Sequence, residues 1–374
     1  MPPTSSRWFA VRRAETRGQT RLPHGAFFAP RVQSRLSPGF GPTLAALLLF
    51  PFPAPSATRP HYGGTLRVEL RAPFETPDPP QSGPGMPDLA GPFAITRWEA
   101  GRRAVFTADE NCPTGRPFLD SIDIQLARPV RDQSIDMELG RADLVESGPG
   151  DPRRQTPGRK TWSSAPVRLI ALVFSSRIDD AHVREALALS VDRSAILNVL
   201  LQRQGEISGA LLPQWLSGYA FLFPAAADMP RARALVAALP PAARALTLSY
   251  EEAAARPIAE RIALNARDAG LALTVAAPNT SADVRLVEVR VASLNPAGAL
   301  AGVAAGLGLP APAAADTPET LYAAEHALLE GFRLVPLFHL PDVYSVGPRV
   351  KGGPGITPLG EWHFENLWLE GARP

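Results

Sequence analysis

Cysteine occurs once in this chain, at Cys112. A single thiol excludes an intramolecular disulfide and a cysteine-built metal cluster. Its place, far from the N-terminus, leads to the expectation of no lipoprotein anchor. Charge is scarce too: charged residues make up 20% of the 374, and the formal net charge is +2. Nothing in that total favours nucleic acid or a strongly acidic ligand. Outside the leader no basic patch interleaves with aromatic rings, so no stacking surface for single strands is indicated. Leu44-Ala-Ala-Leu-Leu-Leu-Phe50 is an apolar run closed by Pro51, well short of the roughly 20 residues that span a membrane.

Catalytic and cofactor fingerprints are absent. The six histidines, His24, His61, His182, His326, His339 and His363, are scattered, and none forms the i, i+4 pair of a zinc site. No G-x-S-x-G elbow, P-loop or dinucleotide fingerprint occurs. The expectation is a non-enzyme with no cofactor, no metal and no nucleic-acid partner. Glu361 and His363 flank Trp362 and would share one side of a strand. A surface salt bridge, with Trp362 as packing, accounts for them. Asp120, Asp123, Asp136 and Asp143 lack the alternating oxygen ligands of a calcium loop, so solvated or capping carboxylates are expected.

Proline and glycine are abundant, 41 and 30 residues, clustered before residue 92 and between 292 and 318. Both regions read as loop-like or poorly ordered. Residues 1–57 form a basic leader in which the short apolar run precedes Ala54-Pro55-Ser56 and Ala57, a pattern similar to a secretory signal. Residues 58–90 hold a first strand and a Pro/Gly-rich connector; residues 91–374 read as one α/β region. In it, Val183, Leu187 and Val191 recur at helical spacing, with Arg184 and Glu185 on the wet side. Asp192 caps a second helix, Ser194 to Leu201. Phe93–Trp98 and Arg103–Thr107 form a hairpin around Glu99–Arg102, and Arg168–Phe174 is a buried strand. Leu246–Tyr250, a helix from Ile258 ended by Gly270, and Leu271–Val275 make a strand–helix–strand unit with parallel pairing.

The wording of these elements adds to their periodicity. Val183-Arg-Glu-Ala-Leu-Ala-Leu-Ser-Val-Asp-Arg193 resembles the VRxALxxAxDR segment of the family 5 extracellular solute-binding proteins, receptors for peptides and nickel that feed ABC importers. Gly63-Gly-Thr-Leu-Arg-Val68 is similar to that family's first strand, and Thr76-Pro-Asp-Pro79 to the turn after it. Gly91-Pro-Phe93, Leu212–Tyr219, Leu334–Leu340 and Phe364–Leu369 resemble later segments, in the family's order.

The resemblance implies an α/β fold of the periplasmic binding protein-like type II. Most of the additional small domain is missing, because Gly91-Pro-Phe93 follows the first strand almost at once. It implies a monomeric, periplasmic or otherwise extracytoplasmic solute-binding component of an ABC transporter. Such a protein captures a small peptide or other polar solute in a cleft and delivers it to an ABC permease. Ligand contacts carried over by position are Phe74, Ser175 and Asn295. The Trp-Asp pair with which relatives hold a peptide's amino group has no counterpart, and Asn295 brings no charge to its place. A different class stays open: a non-transporting envelope scaffold or interaction protein that kept the fold and lost the cleft.

Overall fold

Two long strands organise the molecule. The computed structural model describes residues 59–71, 92–113, 115–148, 160–219, 222 and 224–371. Phe74, the Thr76–Pro79 turn, most of the connector and the Leu44–Phe50 run lie outside the described residues. The first part of the chain gives β1 (Thr65–Glu69), β2 (Phe93–Glu99), β3 (Arg103–Ala108), β4 (Ser121–Gln125), α1 (Val130–Glu138) and β5 (Leu144–Glu146). Next come β6 (Lys160–Phe174), α2 (Ala181–Ser190) and α3 (Arg193–Ala195), which runs into a π-helical turn over Ile196–Leu200. They are followed by β7 (Glu206–Ile207), α4 (Gln214–Ser217), α5 (Met229–Ala238), β8 (Ala245–Tyr250), α6 (Arg256–Ala269), β9 (Ala272–Val275) and β10 (Val284–Arg290). The last are α7 (Pro296–Gly306), α8 (Pro318–Leu329), β11 (Leu334–Val346), β12 (Val350–Lys351) and β13 (Trp368–Leu369).

One sheet runs in the order β2-β3-β4-β1-β5-β11-β6-β10-β8-β9, with β7 also pairing β11. β6 and β11 are antiparallel and pass through both halves of it. Val343–Val346 pairs with Lys160–Ser163 near β5, whereas Leu334–Leu340 pairs with Arg168–Val173 in the half that holds β10. The first half packs Leu66, Val68, Ile122 and Phe106 against the C-terminal residues Trp362, Phe364 and Leu367. In the second half one face of the sheet meets α2 and α6, and the other meets α7 and α8. Full burial of each such aliphatic or aromatic side chain is worth about 1.5–3 kcal/mol, so both halves have a core of their own.

The hairpin β2–β3 and the parallel pair β8–β9 form as their patterns predict. Gly270 closes α6 in the left-handed region, φ 98°, which a side chain would strain. Asp192 accepts the Ala195 amide, as a capping carboxylate should. Two expectations are corrected. Arg184 is not on a wet face but 4% exposed, donating to the carbonyls of Gly331, Ile178 and Asp179. Arg193 is likewise buried and donates to Pro336 O. Helical spacing alone reported the face of α2 and could not report three free carbonyls waiting there. The Pro/Gly cluster after residue 292 also contains a regular helix, α7. Proline at its first turn costs nothing, because that N–H has no helical partner, and Ala299, Leu300, Val303 and Ala304 bury its inner side.

Between the halves the β6–β11 ladder breaks. Pro166 faces Pro341, and the register shifts on both sides of Pro341. Proline lacks the N–H a ladder needs, so a strand tolerates it at an irregularity. The C-terminal segment crosses this break. Pro358 O accepts the Ala165 amide at 3.0 Å, Leu359 enters the second core, and Ile356 and Trp362 enter the first.

Candidate functional site

The break is also where charge collects. Arg168 follows Pro166 on β6, and its apolar successors commit the strand to the core; its side chain is only 16% exposed. The guanidinium donates to Glu288 Oε1 at 2.9 Å and to Pro341 O at 3.1 Å, and Nε lies 3.1 Å from Asp342 Oδ1. Arg290, two residues beyond Glu288 on β10, sits 2.5 Å from Asp342 Oδ2 and donates to Leu359 O. The Asp342 amide is taken by Ser164 Oγ. Gly360 packs against this pair with φ 83°, and a Cβ there would collide with Arg290 and Asp342.

The first half contributes a pair of its own. Arg71, just past β1, donates through Nη2 to Glu146 Oε1 at 2.8 Å and through its amide to Oε2 at 3.0 Å. Burial pushes Glu146 up, but the charge and hydrogen bonds of Arg71, and then Arg168, outweigh it and hold the carboxyl below its usual value. Burial works against the charge of Arg168 in turn, yet Glu288, Asp342 and Glu146 leave its proton held more tightly than usual. Glu252, just past β8, is raised by burial and by Glu288 and Glu146, with Arg168 and Arg71 opposing. Charges from both halves therefore feel one another across the break. Such a charged floor, with guanidinium and carboxylate groups side by side, has the chemistry to bind a group of either sign by exchanging an internal partner for a ligand one.

Ser175 and Asn295 are not brought together. Ser175 ends β6 at the outer edge of the second half, where its amide donates to Asp283 O and its hydroxyl accepts from Arg177. Asn295 follows Val291, whose amide pairs with Val167 at the break. Eight residues of β6 separate those ends, roughly 25 Å at 3.3 Å per residue. Asn295 caps α7, its Oδ1 accepting the Gly298 amide at 2.9 Å. Glu361 accepts from Thr357, His363 contacts Glu365, and Trp362 is buried against Phe364, so the flanking pair faces no common site. Among the described residues no group of three or more His, Cys, Asp or Glu side chains could hold a metal. The four aspartates instead meet Arg116, Arg103, Arg128 and Arg67.

Sequence reading missed Arg71, Glu146, Arg168, Arg290 and Asp342. Two signals were present: an arginine opening the apolar run Arg168–Phe174, and Pro341-Asp342 inside the apolar run that begins at Leu334. A charge committed to a buried strand asks for a partner.

Over residues 34–301 the sequence matches the family described as bacterial extracellular solute-binding proteins, family 5 (middle portion). Solved structures share the fold. An ABC transporter substrate-binding protein of Listeria monocytogenes is 14% identical with a TM-score of 0.61, the match covering 75% of this chain and 66% of that one. A dipeptide-binding protein from a Pseudoalteromonas species, in complex with Met-Leu, is 14% identical with a TM-score of 0.62, covering 75% and 64%. NikZ from Campylobacter jejuni, in complex with Ni(L-His), is 16% identical with a TM-score of 0.63, covering 74% and 68%. The chain thus spans about two thirds of the length of these structures. No curated protein matches it. The fold is α/β and periplasmic binding protein-like, of type II. The matching family is one of substrate-binding proteins rather than of enzymes, with members that work outside the cytoplasm. By sequence over most of its length, and by fold, this chain belongs to the bacterial extracellular solute-binding proteins, family 5.

Proposed function

We propose that the chain is the solute-binding component of an ABC importer. In this reading the signal-like leader exports it, and it works as a monomer that hands its ligand to a membrane permease. The ligand is a small peptide-like solute with both a basic and an acidic group. One observation carries the reading: the charges of Arg71 and Glu146, from one half of the sheet, act on those of Arg168 and Glu252, from the other, beside the irregularity in the crossover strands. A solute held there touches both halves, so its binding would couple to their closure. Glu288 and Glu252 would supply the carboxylate that an ammonium group requires, in place of the family's Trp-Asp pair. Phe74 is kept as a ligand contact on sequence position alone, and the loop leading to Asn295 would flank the ligand. Ser175, at the far strand end, is not needed by this arrangement.

One feature favours a second reading, a scaffold that retained the fold without transport. Every guanidinium of the cluster already has a carboxylate partner, so the floor is neutralised from within. A thermal-shift screen of the full chain against di- to pentapeptides, sugars and nickel chelates separates the two. A receptor gains about 2.7 kcal/mol at a hundredfold excess of ligand over Kd. The expected result is a saturable rise with peptides and none with sugars. No rise with any ligand, on a cooperatively unfolding protein, overturns the receptor and leaves the scaffold.

A further inference from the structure

A separate cavity lies along the edge of β11, where β7 pairs with it. Its volume is about 350 Å³, at the small end of the range for ligand pockets. Leu197, Ile207 and Leu212 form its apolar wall, and Glu206, Ser208, Gln214 and His339 its polar side. Leu197 belongs to the π-helical turn, a widened turn that in helices often marks a functional position. None of these residues belongs to the charged floor at the strand break.

On the polar side two acceptors face each other, and the Gln214 backbone amide already donates to one of them, the Glu206 carboxylate. His339 is 1% exposed, and its Nε2 lies 3.0 Å from Leu211 O. A carbonyl only accepts, so Nε2 carries the proton and Nδ1 keeps a bare lone pair. Burial holds the ring neutral, its pKa lowered to about 4 despite the Leu211 bond. Nδ1 faces Glu206 Oε1 at 3.9 Å, too far for a hydrogen bond. Ser208 cannot bridge them, since its hydroxyl donates to Ala210 O at 2.6 Å. One donor nitrogen about 2.9 Å from each of the two acceptors fits over a 3.9 Å base. The carboxylate favours that donor as a cation, and the apolar wall favours a short hydrocarbon behind it.

We propose that this cavity is a second ligand site, taking a small primary alkylammonium held between His339 Nδ1 and the Glu206 carboxylate. It does not depend on the transport reading, and either stands if the other fails.

The test is a titration of the full chain, labelled with ¹⁵N at histidine, with n-butylammonium chloride. Tetramethylammonium chloride, which has no N–H, controls for charge and ionic strength. Expected is a saturable shift of the His339 Nδ1 resonance with n-butylammonium and none with the control. The variant Glu206→Gln should weaken binding at least tenfold while the far-ultraviolet circular dichroism is unchanged. Leu197→Trp, which fills the cavity from a partly exposed turn, should abolish it. A His339 signal that does not move, or moves equally with both salts, overturns the site. So does an affinity unaltered in Glu206→Gln, since binding would then not use that carboxylate.

Discussion

Each half of the sheet buries a glutamate, and the two are served very differently. Glu325, on α8 in the second half, has donors on both oxygens. Oε1 accepts the Leu211 and Leu212 amides, and Oε2 accepts the Tyr219 hydroxyl at 2.6 Å. Burial pushes its pKa up, and those three bonds hold it back. Glu69, on β1 in the first half, shares Arg128 with Asp136 at a long 3.7 Å, and its Oε2 has no hydrogen-bond partner. Gln133 beside it donates to Glu69 O, but its own Oε1 is unmatched. Burial, with Asp136 assisting and Arg128 opposing, pushes Glu69 up to about 7. A buried carboxylate with donors works as a clamp, here fastening the 211–219 loop to a helix. One that is short of donors is left to the proton.

The comparison can be broken most severely at the clamp. Glu325→Ala leaves two amides and a hydroxyl buried without an acceptor and should cost about 3–5 kcal/mol, read from urea unfolding of the full chain. An effect below about 1 kcal/mol would deny the clamp its role. Gly360→Ala tests the junction between the halves. It combines φ 83° with a collision on Arg290 and Asp342, and should cost about 1–3 kcal/mol in the same assay.

The first half is sharpened by pH. Because the folded-state value of Glu69 lies above that of an unfolded carboxylate, the folded state binds its proton more tightly. That stabilisation is complete below the unfolded value and is lost as pH rises through about 7. The slope should be at most about 1.4 kcal/mol per pH unit, the linkage of one proton. Unfolding curves from pH 4.5 to 7.5 should show the fall, and Glu69→Gln should flatten it. Smallest of all should be Gln133→Met, which deletes one bond and one unmatched oxygen together. A change within about 1 kcal/mol is expected, and a loss like that of Glu325→Ala would erase the contrast between the halves.

How much of this was legible beforehand differs from place to place. The hairpin β2–β3, the β8–α6–β9 unit, the Asp192 cap and the Gly270 stop could be read directly, because each depends on residues a few positions apart. α7 was hidden by its own composition, since proline and glycine are counted against a helix even where the first turn accepts them. Arg184 was assigned to water because helical spacing describes a face and not what packs on it. At the candidate site, family wording pointed to Phe74, Ser175 and Asn295 but not to the charges at the strand break. Arg71 and Glu146 are joined by the spacing of β1 and β5, and Arg168 and Asp342 by the register of β6 against β11. No local pattern contains either.

The sequence by itself determined the family, the α/β class and most of the elements, because periodicity, capping and turn chemistry act over a single turn or strand. Only the tertiary structure decided which charges meet, where the crossover strands break, and that His339 faces Glu206 with its lone pair. Those contacts join residues far apart in the chain. Their energies come from geometry and exclusion of water, which exist only after the sheet has closed.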